Sequence, residues 1–266
     1  MYLNKKEIKN RLQEHYEAVE GKGNLLGVFL KGSQNYVDDL FLPESDIDTI
    51  AVFVPNEKEI ILNVSVSKPT FFFTNGEEIS LVDIRSLFSH FKKPSVTNME
   101  PLFTEHYIVN DKYSKLLESL HKLRDEVAYS NQKRILLSVM GIANSYKKKL
   151  TLTYQKQKKV NQDLIEFGYS RKHFANIKRF QYVAEAYSKN LPFSEVLKAF
   201  PQEEIYKLRT EDLYEKEEAL KLAEEYLDKT KEICLAHPNN SNEKELLVNK
   251  KLDEILFEFL KAEISK

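Results

Sequence analysis

The stretch from Gly27 to Pro55, GVFLKGSQNYVDDLFLPESDIDTIAVFVP, restricts the fold of this chain more than any other. Two apolar runs of strand type, 27–30 and 47–54, flank a Gly-Ser turn and a polar loop, so a sheet is expected with that loop at one end. Gly32 lacks a Cβ and lets the backbone approach a ligand, and the amides after it, from Ser33 on, point outward at a helix start, which suits a phosphate. Asp46 and Asp48 are spaced one apart on the second strand, so their side chains point to one side while Ile47 faces the core. A phosphate-accepting turn beside paired carboxylates suits a divalent metal and the transfer of a nucleotide or phosphoryl group.

The next strands bring a third carboxylate. Residues 68–74 (KPTFFFT) and 78–84 (EISLVDI) read as two strands joined across Asn75-Gly76, a strong hairpin signal. On the second strand Glu78, Ser80 and Val82 share one face, and Ile79, Leu81 and Asp83 share the other. An acid delivered next to Asp46 and Asp48 would complete a metal-binding triad and could help deprotonate an attacking hydroxyl. Asp83 is the first choice, as an isolated acid in an apolar strand just before Arg85. Glu78, beside the turn, where an acid needs no special reason, is the alternative.

Around these strands the chain is helical. Residues 3–20 form an opening helix with Asn4 as cap and with Ile8, Leu12 and Tyr16 on one face. A short helix is expected over 34–40, Pro43 interrupts, and 56–61 is ambiguous. From Ile84 the period is helical: 85–91 ended by Pro94, 96–107 as helix or loop, and a short apolar segment at 107–109. Long helices then follow over 111–124, 130–150, 161–167, 170–188, 194–208, 213–236 and 242–266. The expected class is α+β, with a small mixed-sheet domain over residues 1–110 and an all-α domain over 111–266 that closes a substrate cleft.

Composition narrows the setting. With 266 residues the chain can bury a substantial core. Its charged fraction is 30%, but the signs cancel to a formal net charge of -1, so a polyanion would have to be met by a local patch. Cys234 is the single cysteine, which excludes an internal disulfide and a cysteine-rich zinc site. No apolar run approaches the roughly 20 residues that span a bilayer, and the N-terminus lacks the apolar core of a signal peptide, so no membrane partner and a cytoplasmic location are expected.

Gly32-Ser33 followed by Ser45-Asp46-Ile47-Asp48 resembles the DNA polymerase β superfamily of nucleotidyltransferases, whose signature is an apolar residue, Gly-Ser or Gly-Gly, a loop of about a dozen residues and an Asp-x-Asp pair. More narrowly, GSQNY with PESDID is similar to RNA-repair-associated nucleotidyltransferases of bacteria and phages, the YcgL-like group. VDIRSLFSHFKKPSVTNMEPLF and GYSRKHFANIKRFQYVAEAY are similar to two further segments of that group, so the resemblance runs over residues 25–210. Lys93-Pro94 stands where the group more often has Asn-Pro, and Asn176 where a His is expected. The resemblance implies a polymerase β-like fold, phosphate binding by Gly32 and Ser33, and Mg²⁺ (or Mn²⁺) held by Asp46 and Asp48. It implies a nucleoside triphosphate as substrate, an RNA or tRNA end as acceptor, and release of pyrophosphate. A protein hydroxyl as acceptor, as in toxin-like transferases, and a non-catalytic RNA-binding protein on the same scaffold are the alternatives.

Outside the motif, Lys172 and Arg179 lie seven apart on one helix and project from one face, which would let them meet a triphosphate or base; ordinary surface charge explains them equally. No acid occurs between Tyr146 and Asn161, where Lys147, Lys148, Lys149, Lys156, Lys158 and Lys159 cluster around Tyr154. Such a run can track a nucleic-acid backbone or be a solvated helix end. His173 reads as a packing or solvent residue, Arg85 as the partner of a nearby acid, and Cys234 as a buried small side chain.

Overall fold

The structure, a computed structural model, describes residues 5–35, 47–64, 70–152, 162–238 and 242–265, with Ser33 described by its backbone alone. The chain forms two compact units, Met1–Asn131 with Ser241–Lys266, and Gln132–Asn240.

The first unit is α+β. It opens with α1 (Lys5–Val19) and β1 (Asn24–Lys31), makes a 3₁₀ turn at Ser33–Asn35, and continues through β2 (Asp48–Val54) and α2 (Glu57–Ile61). Asn56 settles α2 through a capping box: its side chain accepts from the Glu59 amide at 3.0 Å, and Glu59 accepts from the Asn56 amide at 2.8 Å. The expected hairpin is present as β3 (Phe71–Phe72) and β4 (Glu78–Asp83), with Phe71 opposite Ile79 and Gly76 at φ +96° between them. Next come α3 (Ile84–Phe91), α4 (Val96–Phe103), the short β5 (Tyr107–Val109) and α5 (Ser114–Ala128).

The sheet order is β3-β4-β2-β1-β5; β2 and β4 run parallel, and the other neighbours are antiparallel. Ile8, Leu12 and Val19 of α1 pack with Val28, Leu30, Ile47, Ala51, Phe53 and Ile79 on one face. On the other face Phe29, with Leu26 at the β1 bulge, lines a small apolar cavity with Ile84, Leu87, Phe91, Leu102 and Leu120 from α3, α4 and α5. Burial on both faces explains why β1 and β2 read as nearly continuous apolar runs.

The second unit is helical: α6 (Gln132–Lys149), α7 (Gln162–Glu166), α8 (Arg171–Ser188), α9 (Phe193–Val196), α10 (Gln202–Thr210) and α11 (Lys216–Ala236). Its centre is α8, which packs against α6, α10 and α11 and buries Phe174, Ile177, Phe180 and Val183. The helix expected over 194–208 is two helices, because Pro201 has no amide hydrogen and disfavours helical backbone at the residue before it.

The chain ends in α12 (Asn242–Ile264), which belongs to the first unit and packs on α5, α2 and α3. Residues 111–131 and the last helix thus group with the sheet-bearing unit, where α5 lines the apolar cavity beside Phe29 and α12 packs on α5. Among the described residues no helix is long and apolar enough to cross a membrane.

Candidate active site

The pairing of β2 with its neighbours builds one end of the sheet. Lys31 lies opposite Asp48, and the parallel register that sets Thr49 against Ile79 places Glu78 at the level of Asp48 on β4. Residues level with each other on adjacent strands point to the same face, so Lys31, Asp48 and Glu78 form a row across three strands. The Lys31 ammonium donates to Glu78 Oε1 at 2.9 Å and to Ser80 Oγ at 2.8 Å. About a third of the Glu78 and Lys31 side chains is exposed, so the row is open to a ligand.

β1 leaves this row through Gly32, whose φ of +90° suits glycine. The Gly32 amide donates to Glu100 Oε2 at 2.9 Å, and Glu100 is a buried carboxylate on α4. The Gly32 amide is thus held by a carboxylate, and the amides expected to meet a phosphate are those that follow it, from Ser33 on. Asn35 closes the turn by donating from Nδ2 to the Leu30 carbonyl at 2.9 Å, while its Oδ1 accepts from Thr104 Oγ1 at 2.6 Å. Asp46 lies outside the described residues, as does most of the loop before it.

Asp83 is not part of this row. It sits at the far end of β4, opposite Phe53 and five residues beyond Glu78, a separation of about 17 Å at strand spacing. It also points to the sheet face that carries α1, whereas Asp48 and Glu78 point to the other. Its carboxylate caps α3 by accepting from the Arg85 amide at 2.7 Å and binds the Arg85 guanidinium at 2.6 Å. Arg85 also donates to the carbonyls of Glu59 and Val64, and the adjoining Asp83 carboxylate raises its pKa. The choice of Asp83 as third metal ligand is therefore corrected: the acid that the structure brings beside Asp48 is Glu78.

Behind the row lies a buried polar network that the sequence reading missed. Glu77, buried in the turn before β4, accepts from the Ile47 amide at 3.1 Å, Arg11 at 2.5 Å, His15 at 3.1 Å and Asn75 at 3.1 Å. Burial alone would raise the Glu77 pKa, but these donors outweigh it and the pKa is lowered. His15 contacts Thr49 Oγ1 through Nδ1 at 2.9 Å and stacks on Phe73 at 4.4 Å; burial lowers its pKa. Thr49, His15 and Glu77 follow the order of a hydroxyl, imidazole and carboxylate relay, yet Thr49 and His15 are wholly buried, so no substrate reaches the hydroxyl. The network instead ties the backbone between the two motif acids to α1.

In the second unit Lys172 is exposed and Arg179 buried, with the Arg179 guanidinium 4.9 Å from the Phe180 ring and 6.0 Å from that of Phe200. Lys147 is paired with Glu224, while Tyr154, Lys156, Lys158 and Lys159 lie outside the described residues. Cys234 is buried as expected, donates to the Leu136 carbonyl at 3.1 Å, and has its thiol pushed up to about 11 by burial.

Among the described residues no group of three histidines, cysteines or acids is placed to hold a metal ion. Asp48 and Glu78 are hard oxygen donors at one level and supply two carboxylates of the kind Mg²⁺ takes. Lys31 and Glu100 are the site residues that sequence reasoning passed over. A lysine directly before Gly32 and an acid inside the apolar helix VTNMEPLF were the available signals. No protein-family model matches the chain, and no curated protein matches it.

Proposed function

We propose that the chain is a divalent-metal-dependent nucleotidyltransferase that moves a nucleoside monophosphate from a nucleoside triphosphate to a hydroxyl, with release of pyrophosphate. The observation that carries this reading is the row of Asp48, Glu78 and Lys31 at the sheet end where Gly32 turns the chain. Asp48 and Glu78, with Asp46 preceding them on the chain, would hold Mg²⁺ or Mn²⁺. The bound ion would neutralise charge gathering on the α-phosphate oxygens. In the reaction the acceptor oxygen bonds to the α-phosphorus, the bond to the pyrophosphate oxygen breaks, and the hydroxyl proton passes to a carboxylate of the row. Lys31 balances the acids before substrate arrives and can shift to a phosphate oxygen afterwards, because its three donors rotate on a flexible stem. Ser33 stands as a nucleotide contact in this reading.

The acceptor proposed is an RNA end, tRNA included, on the strength of the lysine-rich, acid-free sequence from 146 to 161. A protein hydroxyl is the alternative acceptor. A second reading, a non-catalytic RNA-binding protein, is favoured by two observations: Glu78 is already paired with Lys31, and the Gly32 amide already donates to Glu100.

Incubation with each α-³²P nucleoside triphosphate, total RNA or whole-cell protein, and Mg²⁺ or Mn²⁺ separates these. Label should enter one acceptor class, and Asp48→Asn should reduce incorporation by at least about a hundredfold, in the range seen when one transition-state stabilising group is lost. No incorporation by the wild type with any nucleotide would sink the enzyme reading, and RNA binding retained by Asp48→Asn would then favour the binding module.

A further inference from the structure

The row that begins at Lys31 runs one strand further, to the edge of the sheet. Phe72 of β3 lies opposite Glu78 of β4, so its side chain points to the same face as Glu78, Asp48 and Lys31. At strand spacing Phe72 stands about 5 Å from Glu78 and about 10 Å from Asp48. The three phenylalanines of KPTFFFT divide between the two faces. Phe71 and Phe73 pack against the core beneath α1, where Phe73 stacks on His15 at 4.4 Å and meets Phe71 edge-on at 5.2 Å. Phe72 is left on the other face, 68% exposed and with no ring or cation against it among the described residues.

Single exposed apolar side chains are ordinary on protein surfaces; the neighbours of this one are not. Beside it stand two carboxylates that suit a divalent cation and an ammonium that can shift to a phosphate oxygen. A ligand whose phosphates lie over Asp48 and Glu78 and whose other end reaches the sheet edge meets the Phe72 ring next. A phenyl ring has no hydrogen-bonding group, so it offers such a ligand a flat apolar surface, which fits the face of a base and no part of a bare polyphosphate. β3 spans Phe71–Phe72, and so short an edge strand is a poor template for pairing with another chain, which leaves the ring to a ligand.

We infer that Phe72 is the stacking platform for a nucleobase at this site, either the base of the nucleoside triphosphate or that of the RNA end that receives the nucleotide. The inference rests on the reading of the row as a metal and phosphate site, and it adds the group that favours a base-bearing ligand over phosphates alone. Every base has a π-face, so the ring contributes affinity for nucleotides and not a choice among the four.

Binding without turnover tests it. The full chain is titrated calorimetrically, with Mg²⁺ present, against α,β-methylene ATP, whose carbon bridge prevents release of pyrophosphate, and against tripolyphosphate. A single-stranded RNA and the same RNA lacking its 3′-terminal base form the second pair. Phe72→Ala should weaken one base-bearing ligand by about tenfold or more, within the range for one aromatic stack, and leave its base-free counterpart unchanged, while Phe72→Trp keeps the affinity. Loss with the ATP analogue identifies the incoming nucleotide as the source of the base, and loss with RNA identifies the acceptor end. The melting temperature of Phe72→Ala should match the wild type, because the ring is exposed. Unchanged affinity for both base-bearing ligands, an equal loss with the base-free counterparts, a wild type that binds neither base-bearing ligand, or a fall in melting temperature would each overturn the inference. A wild type that binds through Phe72 yet transfers no label would sink the transfer reading alone.

Discussion

Glu77 shows how one side chain can set the geometry of a site it does not enter. It joins the Ile47 amide, between Asp46 and Asp48, to Arg11 and His15 of α1, so the start of β2 is fixed by a carboxylate in a different turn. Glutamine removes the charge that the half-buried Arg11 guanidinium faces, so Glu77→Gln should cost about 2 kcal/mol at neutral pH in chemical denaturation, the range for a hydrogen bond to a charged group. The pH dependence has a definite sign. The folded Glu77 pKa is lowered, so its stabilisation is complete above the unfolded value near 4.5 and is lost as pH falls through the folded value below it. The gap between wild type and Glu77→Gln should therefore close at acid pH. In the sequence Glu77 is merely an acid after Asn-Gly, in a turn where acids are common. Its four partners lie 66 to 2 residues away along the chain, and only the folded backbone reveals them.

At the scale of elements, near neighbours decide identity and distant ones decide position. The Asn56 to Glu59 capping box, the Asn75-Gly76 hairpin and the break at Pro201 are each written within a few residues. Asp83 illustrates the opposite case: an isolated acid in an apolar strand fits a metal ligand and a helix cap alike, and the start of α3 directly after it makes it the cap. β5 depends on a glycine in another strand. A Cβ on Gly27 would stand 2.6 Å from the Ile108 carbonyl oxygen and 2.8 Å from Val109 Cγ2, so only a bare backbone lets β1 and β5 pair this closely. Gly27→Ala should cost about 2 kcal/mol through overpacking. It should also speed amide exchange at Asn110, whose amide donates to the Leu26 carbonyl beside the substituted position.

At the scale of the whole molecule, the chain leaves the sheet-bearing unit after Asn131 and returns to it with the last helix. α12 is tied there by Lys92 with Asp253, Lys112 with Glu263 and Lys251 with Glu126, and it buries Val248 and Leu252. Exposed ion pairs contribute little each, so the apolar contacts carry most of the docking. Leu252→Ala should destabilise by about 3 kcal/mol, the usual cost of emptying a buried leucine site. Hydrogen exchange should then show β1 and β2 losing protection while α8 retains its own. The sequence by itself determined the order and type of most elements, the turn at Gly32, the strand that begins at Asp48 and the hairpin, because helical and strand periods, caps and tight turns are properties of adjacent residues. Only the tertiary structure decided that Glu78 and Lys31, not Asp83, stand beside Asp48, and that Glu100 holds the Gly32 amide. The β2 to β4 pairing is parallel, so no tight turn fixes its register. That register follows from packing both sheet faces at once, a condition no local stretch of sequence contains.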